Sequence, residues 1–437
     1  MDKIEFRKEI EIRYNVDVFV AGGGPAGVAA AVTAAEMGAS VFLAEKGQCF
    51  GGAATLAKVP AFMRFSDGVN FLAGGFGRRL FDALYGEDTD YTTIEFSIEV
   101  EKLKLLYDQM MLASGASFLF ETTLVDVVKE DNRIQYVILK GKETFFAVRA
   151  KVYIDGTGDG FMAVAAGEES EKGNENGFMM PGTLCSMWGD IDWSRAVVEL
   201  GKDPDERFLP QAFKDGVFTV QDLGLPGMWR FDRHYGGGNI GHVFGVDGTD
   251  EVSLTKGMLD GRKRIWEYVE YYNRYLPGYE NAKLISTGDI LGIRESRRIT
   301  CLYAASFEDY QTHAVFDDEI GRYAYPIDIH SHSAENGKEN SLYEQGYEKG
   351  KSYGLSYRSL LPKKMDNLLI AGRCIGAERE MFGALRVMPC CFITGMAAGC
   401  AAALSVRHTD GEPKKIDVKM LQQSLLEKGA YLPNYKG

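Results

Sequence analysis

Three sets of residues have the types and spacing to do chemistry. The first is Gly22-x-Gly24-x-x-Gly27, followed by Glu45. In this pattern the first glycine permits a tight turn, the second lets backbone approach a pyrophosphate, and the third lets a helix pack on a strand. Pro25 and Ala26 open that helix, and its free N–H groups and positive dipole end suit an anion. Glu45, about 20 residues further on, is spaced to accept hydrogen bonds from two ribose hydroxyls. The second set is Arg294, Arg297 and Arg298, whose guanidinium groups have the geometry to grip a carboxylate at two points. Glu295 lies among them, so internal ion pairs are an equal alternative. The third is Asp328-Ile-His330-Ser-His332, where alternation as on a strand sets both histidines on one face beside a carboxylate. That arrangement suits proton transfer; a metal would require a third ligand, and none is identifiable. His242, after the glycine-rich GGGNIG, is a similar candidate. Cys390 and Cys391 stand at a helix start, as thiols of lowered pKa or as small buried packing.

The elements that must position these groups follow from hydrophobic pattern. Val16 to Ala21 reads as a buried parallel strand, and a helix faced with Ala26, Ala29, Ala30, Thr33 and Ala34 runs to Gly38. A second strand, Ser40 to Ala44, completes a βαβ dinucleotide half-site. Lys46 to Thr55 then offers Gly51, Gly52 and Ala53, small residues that admit a flat ligand or form a plain loop. Helical spacing is expected over 70–85 and 95–114, and a β-meander over 116–154 with a turn at Asp131-Asn132. Asp155-Gly-Thr-Gly158-Asp159-Gly160 makes a sharp strand-to-helix turn, at the strand end where open α/β sheets bind ligands. From 185 to 345 aromatic residues and histidines accumulate, with glycine-rich loops such as Tyr235 to Asn239, which reads as an insertion. Leu368 to Ala371 is a strand ending at Gly372, Pro389 to Leu404 a helix rich in alanine, and Val418 to Glu427 a short helix. Residues 1–15 read as a charged leading arm or strand.

Composition bounds the class. A chain of 437 residues with 45% hydrophobic and 25% charged residues forms two or three ordinary globular domains. A formal net charge of −13 with no basic run opposes a nucleic-acid surface. No signal-peptide pattern and no run of 18 apolar residues is apparent, so neither membrane insertion nor export is expected, and the protein is expected to be cytoplasmic. Seven cysteines without a CxxC argue against a disulfide framework or a zinc knuckle.

Taken in order, the motifs DVFVAGGGPAGVAAA, LAEK with its following GG, YIDGTGDG, GIRESRR, YRSLLPK and NLLIAGRCIGAEREMFGALRVMPCCFITGMAAGCAAAL resemble the FAD-dependent oxidoreductases of the glutathione-reductase-like superfamily. The specific group is the one also labelled xanthan lyase-like, and the resemblance covers nearly the whole chain. It implies an α/β fold: a Rossmann-like FAD-binding domain, a parallel sheet with a β-meander, built from residues 1–184 and 346–437. An inserted α+β substrate or cap domain would occupy 185–345. By the same resemblance Gly22, Gly24, Pro25, Ala26 and Gly27 would contact the pyrophosphate of FAD, and Glu45 and Lys46 would serve the adenosine end. Gly51, Gly52 and Ala53 would approach the ribityl and flavin, with Val125 reaching the adenine through its backbone. Gly158, Asp159, Gly372 and Arg373 would approach the phosphates, and Arg386 to Thr394 would lie beside the isoalloxazine. Many relatives carry Gly-Asp where this chain has Gly372-Arg373, so the Asp contact does not transfer. No second Gly-x-Gly-x-x-Gly follows a strand, which speaks against a dedicated nicotinamide domain.

The expected function is hydride transfer between the flavin and a small organic substrate, with a further electron donor or acceptor as partner and a homo-oligomer possible. A structural flavin in a binding or assembly subunit is the alternative. Candidate catalytic residues are Arg294, Arg298, His330, His332 and Arg386, the last as a fixed positive charge near the flavin or as a structural arginine. Replacing Arg294 or Arg298 is expected to cut turnover and leave the flavin in place.

Overall fold

The computed structural model describes residues 3–196, 204–334, 342 and 345–436. β1 (Glu11–Ala21), α1 (Pro25–Glu36) and β2 (Val41–Ala44) form the βαβ unit, with Val18 opposite Val41 and Ala21 opposite Ala44 in parallel. β1 starts at Glu11, so the second half of the leading arm belongs to this strand. β3 (Ala61–Phe62) pairs with β4 (Phe96–Ser97) around α2 (Phe76–Tyr85). α2 begins at Phe76 because Gly74 and Gly75 precede it, Gly75 at φ 61°. α3 (Val100–Ser114) leads to β5 (Ser117–Leu119), which adds to β2 in parallel. β6 (Thr123–Glu130), β7 (Arg133–Lys140) and β8 (Phe145–Asp155) make the antiparallel meander, with Asp131 at φ 50° in its turn.

α4 (Phe161–Ala165) and β9 (Ser170–Lys172) precede the insertion. There β10 (Ser186–Gly189), α5 (Leu209–Lys214), β11 (Gly227–Arg230), β12 (Tyr235–Asn239), α6 (Glu251–Tyr275) and β13 (Lys283–Thr287) build a second unit. Its sheet runs β11-β12-β10-β13, and residues of α6 such as Ile265, Tyr271 and Tyr272 close a core with Trp188. The glycines of Tyr235 to Asn239 are therefore strand and not loop. A Cβ on Gly237 would stand 2.2 Å from the Phe231 ring, so the glycines make room for aromatic groups over the sheet.

β14 (Arg297–Ile299) returns to pair with β9, and α7 (Phe307–Gln311) leads to β15 (Glu319–Tyr323), which pairs with β16 (Tyr353–Ser356). β17 (Leu368–Ile370), α8 (Arg379–Leu385), α9 (Met388–His408) and α10 (Val418–Glu427) complete the chain. β8 is the strand that unites the main sheet. One edge pairs with β1; the other takes β7 at Phe145–Val148 and β17 at Tyr153–Asp155. N-terminal and C-terminal segments thus share one sheet.

Packing sets the insertion at about 184–293 and not 185–345. Trp188 to Ala282, with Leu184, Val243, Val246 and Leu291, form cores of their own, whereas Ile299, Ile320, Tyr323 and Leu355 join the main core. The reason is that β15 packs against α9. Residues 335–341, 343 and 344, beside the boundary expected at 345, lie outside the described residues.

By length and composition α9 could cross a membrane, contrary to the expectation that no such stretch exists, but 94% of its most apolar window is buried inside the fold. Its small residues explain the burial. A Cβ on Gly395 or Gly399 would lie 2.3 or 2.4 Å from the carbonyl oxygens of Ala26 and Ala30, so α9 crosses α1 at nearly backbone contact.

Candidate active site

A cavity of about 1520 Å³ lies between the main sheet and the insertion. One end is walled by backbone. Gly22, Gly24, Pro25, Ala26, Gly52, Ala53, Gly158 and Gly372 line it, and a Cβ on Gly24 would meet nothing nearer than Gly156 O at 4.0 Å. Gly22 sits at φ 87°, in the left-handed region, and so makes the turn that only glycine adopts without strain. A Cβ on Gly27 would fall 1.8 Å from Gly22 O, so Gly27 faces that turn and sets the seat of α1. A trough of small residues beneath a helix N-terminus fits a pyrophosphate, whose oxygens need N–H donors at close range.

Glu45 is 5% exposed on the wall of this trough. Its Oε2 accepts from Gly23 N–H and its Oε1 from Gly47 N–H, both at 2.6 Å. Each oxygen keeps a further lone pair. The carboxylate thus locks the glycine turn as well as lining the cavity, beside Lys46. Asp155, wholly buried at the end of β8, accepts from Thr157 N–H and hydroxyl with one oxygen and from Ala163 N–H with the other. That shapes the turn carrying Gly158 and Asp159. Asp159 is gripped by Arg373 Nη2 at 2.6 Å, and Arg373 also donates to Gly158 O and Ile293 O. Arg373 is therefore a clamp between loops at the cavity wall.

The other end is polar and built by both units. Arg294, His242, His330, Asp328 and Arg386 line it. Arg294 is 8% exposed and donates only to neutral acceptors among the described contacts: Pro181 O at 3.0 Å, Thr183 Oγ1 at 2.7 Å and Asn239 Oδ1 at 3.1 Å. Burial, and then Arg386 nearby, push its pKa down to about 10. His242 Nδ1 lies 3.0 Å from Asp222 Oδ2, and His242 Nε2 lies 2.9 Å from His330 Nδ1. Beyond, His330 Nε2 is 3.4 Å from Asp328 Oδ1, and Arg386 Nη2 donates to Asp328 Oδ2 at 2.9 Å. Burial and Arg294 hold the His330 pKa down, to about 3, and burial lowers that of His242. Burial pushes Asp328 up, but the neighbouring guanidinium groups of Arg386 and Arg294 hold it well below the usual carboxylate range. Arg386 Nε is buried without an acceptor among the described residues.

Several expected residues stand elsewhere. Arg298 is buried away from the cavity, donating to Glu295 Oε1 at 2.9 Å and Gly173 O at 3.0 Å. Arg379 Nε also reaches Glu295, at 3.2 Å, so the ion-pair alternative holds for Arg298. His332 does not share a face with His330. The chain leaves the sheet after Tyr323, strand alternation is lost, and His332 stacks on Phe178 with ring centroids 4.6 Å apart. Val125, 42% exposed, falls at a bulge between Leu124 and Asp126, while Thr122, Thr123 and Leu124 line the cavity instead. Gly51 packs on Thr55 and Tyr107. Thr394 lies beneath the trough, where its hydroxyl accepts from Gly372 N–H at 3.1 Å. Cys390 and Cys391 are buried, and burial pushes both thiols up, Cys391 to about 12, so no reactive thiolate forms at this helix start. Asp222 was not found from the sequence. It sits 20 residues from His242 in a loop, with no spacing that links them.

Comparisons with known proteins agree with the trough. A model of the family described as FAD dependent oxidoreductase matches residues 17–425. The thiamine thiazole synthase of Aeropyrum pernix is 26% identical over 231 residues, 51% of this chain and 80% of that protein. Among solved structures, a geranylgeranyl bacteriochlorophyll reductase-like protein from Thermoplasma acidophilum overlays with TM-score 0.45 at 14% identity, covering 95% of this chain and 84% of that one. A p-nitrophenol 4-monooxygenase from Pseudomonas putida overlays with TM-score 0.43 at 11% identity, covering 94% and 84%.

Proposed function

The chain belongs to the FAD dependent oxidoreductase family, and from that premise we propose that it transfers a hydride between FAD and a small organic anion held by Arg294. Gly22, Gly24, Ala26, Glu45, Gly52, Gly158 and Gly372 would hold the dinucleotide. Once held, FAD supplies the two-electron acceptor or donor for the hydride. What remains for the protein is to bind the substrate, exclude water and move one proton.

The observation that carries this reading is the buried guanidinium of Arg294. Among the described residues its acceptors are a carbonyl oxygen, an amide oxygen and a hydroxyl, none of them charged. A buried cation without a carboxylate in contact is costly to maintain, and an incoming anion repays that cost. His330, on the same wall, receives or returns the proton that accompanies the hydride. Arg386 holds Asp328, and Asp328 faces His330, so the imidazole is positioned from both sides.

Anaerobic addition of hydroxy, amino and unsaturated carboxylates tests the reading, with flavin absorbance as the signal. At least one class should bleach the oxidised flavin or restore the reduced one in the wild type. Arg294→Gln should abolish that response while retaining the flavin spectrum. If only uncharged substrates react, the assignment of Arg294 is overturned.

A further inference from the structure

The row Asp222, His242, His330, Asp328 contains two hydrogen-bond contacts, of 3.0 and 2.9 Å, and a longer ion-pair contact of 3.4 Å. Two neutral imidazoles bring only two ring protons. If His242 Nδ1 donates to Asp222, its Nε2 is an acceptor, and His330 Nδ1 must donate across the 2.9 Å gap. The reverse arrangement, His242 Nε2–H to His330 Nδ1 and His330 Nε2–H to Asp328, leaves Asp222 its backbone donors from Gly224 and His242. It sets the His242 Nδ1 lone pair against Asp222 at 3.0 Å, however, a closer clash than the 3.4 Å contact at Asp328. The remaining tautomers set two ring lone pairs or two ring protons against each other at 2.9 Å. What remains is His330 Nε2, a lone pair facing a carboxylate oxygen across the longest gap. The row is one proton short.

The surroundings explain why that place stays empty. Burial removes the water that would solvate an imidazolium, and Arg294 brings positive charge to both rings. Asp222 and Asp328 favour the extra proton. From α6, Arg264 donates to His242 O and Tyr268 lies close to Asp222; Cys185, on the β10 side, is close to Arg294. Of these, Arg294 is the group whose charge a ligand can cancel.

Resting on the reading that Arg294 takes the substrate anion, we propose that anion binding loads this row with its third proton, at His330 Nε2. The bound anion neutralises Arg294, solvent supplies one proton, and the contact from His330 to Asp328 becomes a charge-assisted hydrogen bond. No electrons move. Because one proton enters with each anion, affinity rises roughly tenfold for each pH unit of acidification while His330 of the free protein remains neutral.

Two measurements on the FAD-loaded protein decide it. Benzoate, a flat carboxylate that stays ionised near neutrality, is titrated calorimetrically in phosphate and in Tris at one pH. The difference in heat should correspond to about one proton taken up per benzoate, and His330→Gln should reduce it nearly to zero. Binding without proton uptake overturns the proposal. The second measurement uses no ligand: nitrogen-15 histidine spectra, with His330 assigned from the signal lost in His330→Gln. Both His242 and His330 should show the Nδ1–H tautomer at pH 7, and Arg294→Gln should raise the His330 titration from about 3 by about four pH units, the shift that uptake of a whole proton near neutrality requires. An Nε2–H tautomer at His330, or no response to Arg294→Gln, overturns the proposal even if benzoate binds. If benzoate and the other carboxylates do not bind at all, the anion-site reading fails, and the spectra still decide the proton row.

Discussion

Arg373 Nη2 meets Asp159 Oδ1 at 2.6 Å, fastening the turn after β17 to the turn after β8 across 214 residues of sequence. Both side chains are about one-fifth exposed, and Arg373 also holds Gly158 O and Ile293 O, so three stretches of the cavity wall hang on one guanidinium. Arg373→Gln and Asp159→Asn should each weaken FAD binding, since a partly buried charged hydrogen bond is worth about 1.5–3 kcal/mol. Roughly ten- to hundred-fold in dissociation constant is expected by fluorescence titration. A double variant no worse than either single would show that the two act as one clamp.

Glu45 holds the backbone of Gly23 and Gly47, so a test of its ribose role must spare those bonds. Glu45→Gln keeps one acceptor oxygen, and so one of the two backbone bonds, and should lower FAD affinity with a smaller loss of apoprotein melting temperature than a variant that removes both. Glu45→Arg removes both acceptors and buries a cation, and should destabilise the apoprotein itself. Equal apoprotein melting temperatures for the two variants would show that the backbone bonds matter little.

Arg294 and Arg298, close in sequence, should behave differently. Arg294→Lys retains charge but loses the planar two-point grip, so kcat/KM should fall roughly ten- to hundred-fold with flavin content unchanged. Arg298→Gln removes a partner of the wholly buried Glu295, a change that typically costs about 3–5 kcal/mol. Arg379 stays beside Glu295 and places the expected loss at the low end. Thermal unfolding should therefore shift for Arg298→Gln and hardly at all for Arg294→Lys.

Acid should destabilise the fold before ordinary carboxylates titrate. The unfolded chain binds a proton on His330 near pH 6.5, whereas the folded protein resists until about pH 3, so the unfolded state gains protons first as pH falls. Stability is full above pH 6.5 and declines through that window, and the lowered His242 acts in the same direction. The melting temperature should fall from pH 7 to pH 5, and less steeply in His330→Gln. Parallel curves would mean that His330 is protonated in the fold at neutral pH.

The βαβ unit and its glycine turn were legible in the sequence because their determinants are local. Gly22, Gly24, Gly27 and Glu45 lie within one βαβ unit, where turn geometry, helix packing and strand spacing are set by neighbours along the chain. The β-meander and α9 were legible for the same reason, since period and composition report an element whatever it packs against. The substrate end was not. Arg294 and Arg298 are alike in type and differ only in whether a buried carboxylate stands beside them, and that depends on where β14 lies against β9 and α8. His330 and His332 separated because the strand that would have aligned them ends at Tyr323. Asp222, His242 and His330 share no sequence spacing; they meet because the insertion closes over the sheet and buries their polar atoms against one another. Chain neighbours determined the glycine turn of the βαβ unit, and only the tertiary packing of two cores brought Gly158 and Gly372 to it and decided which charged side chains were left facing the cavity.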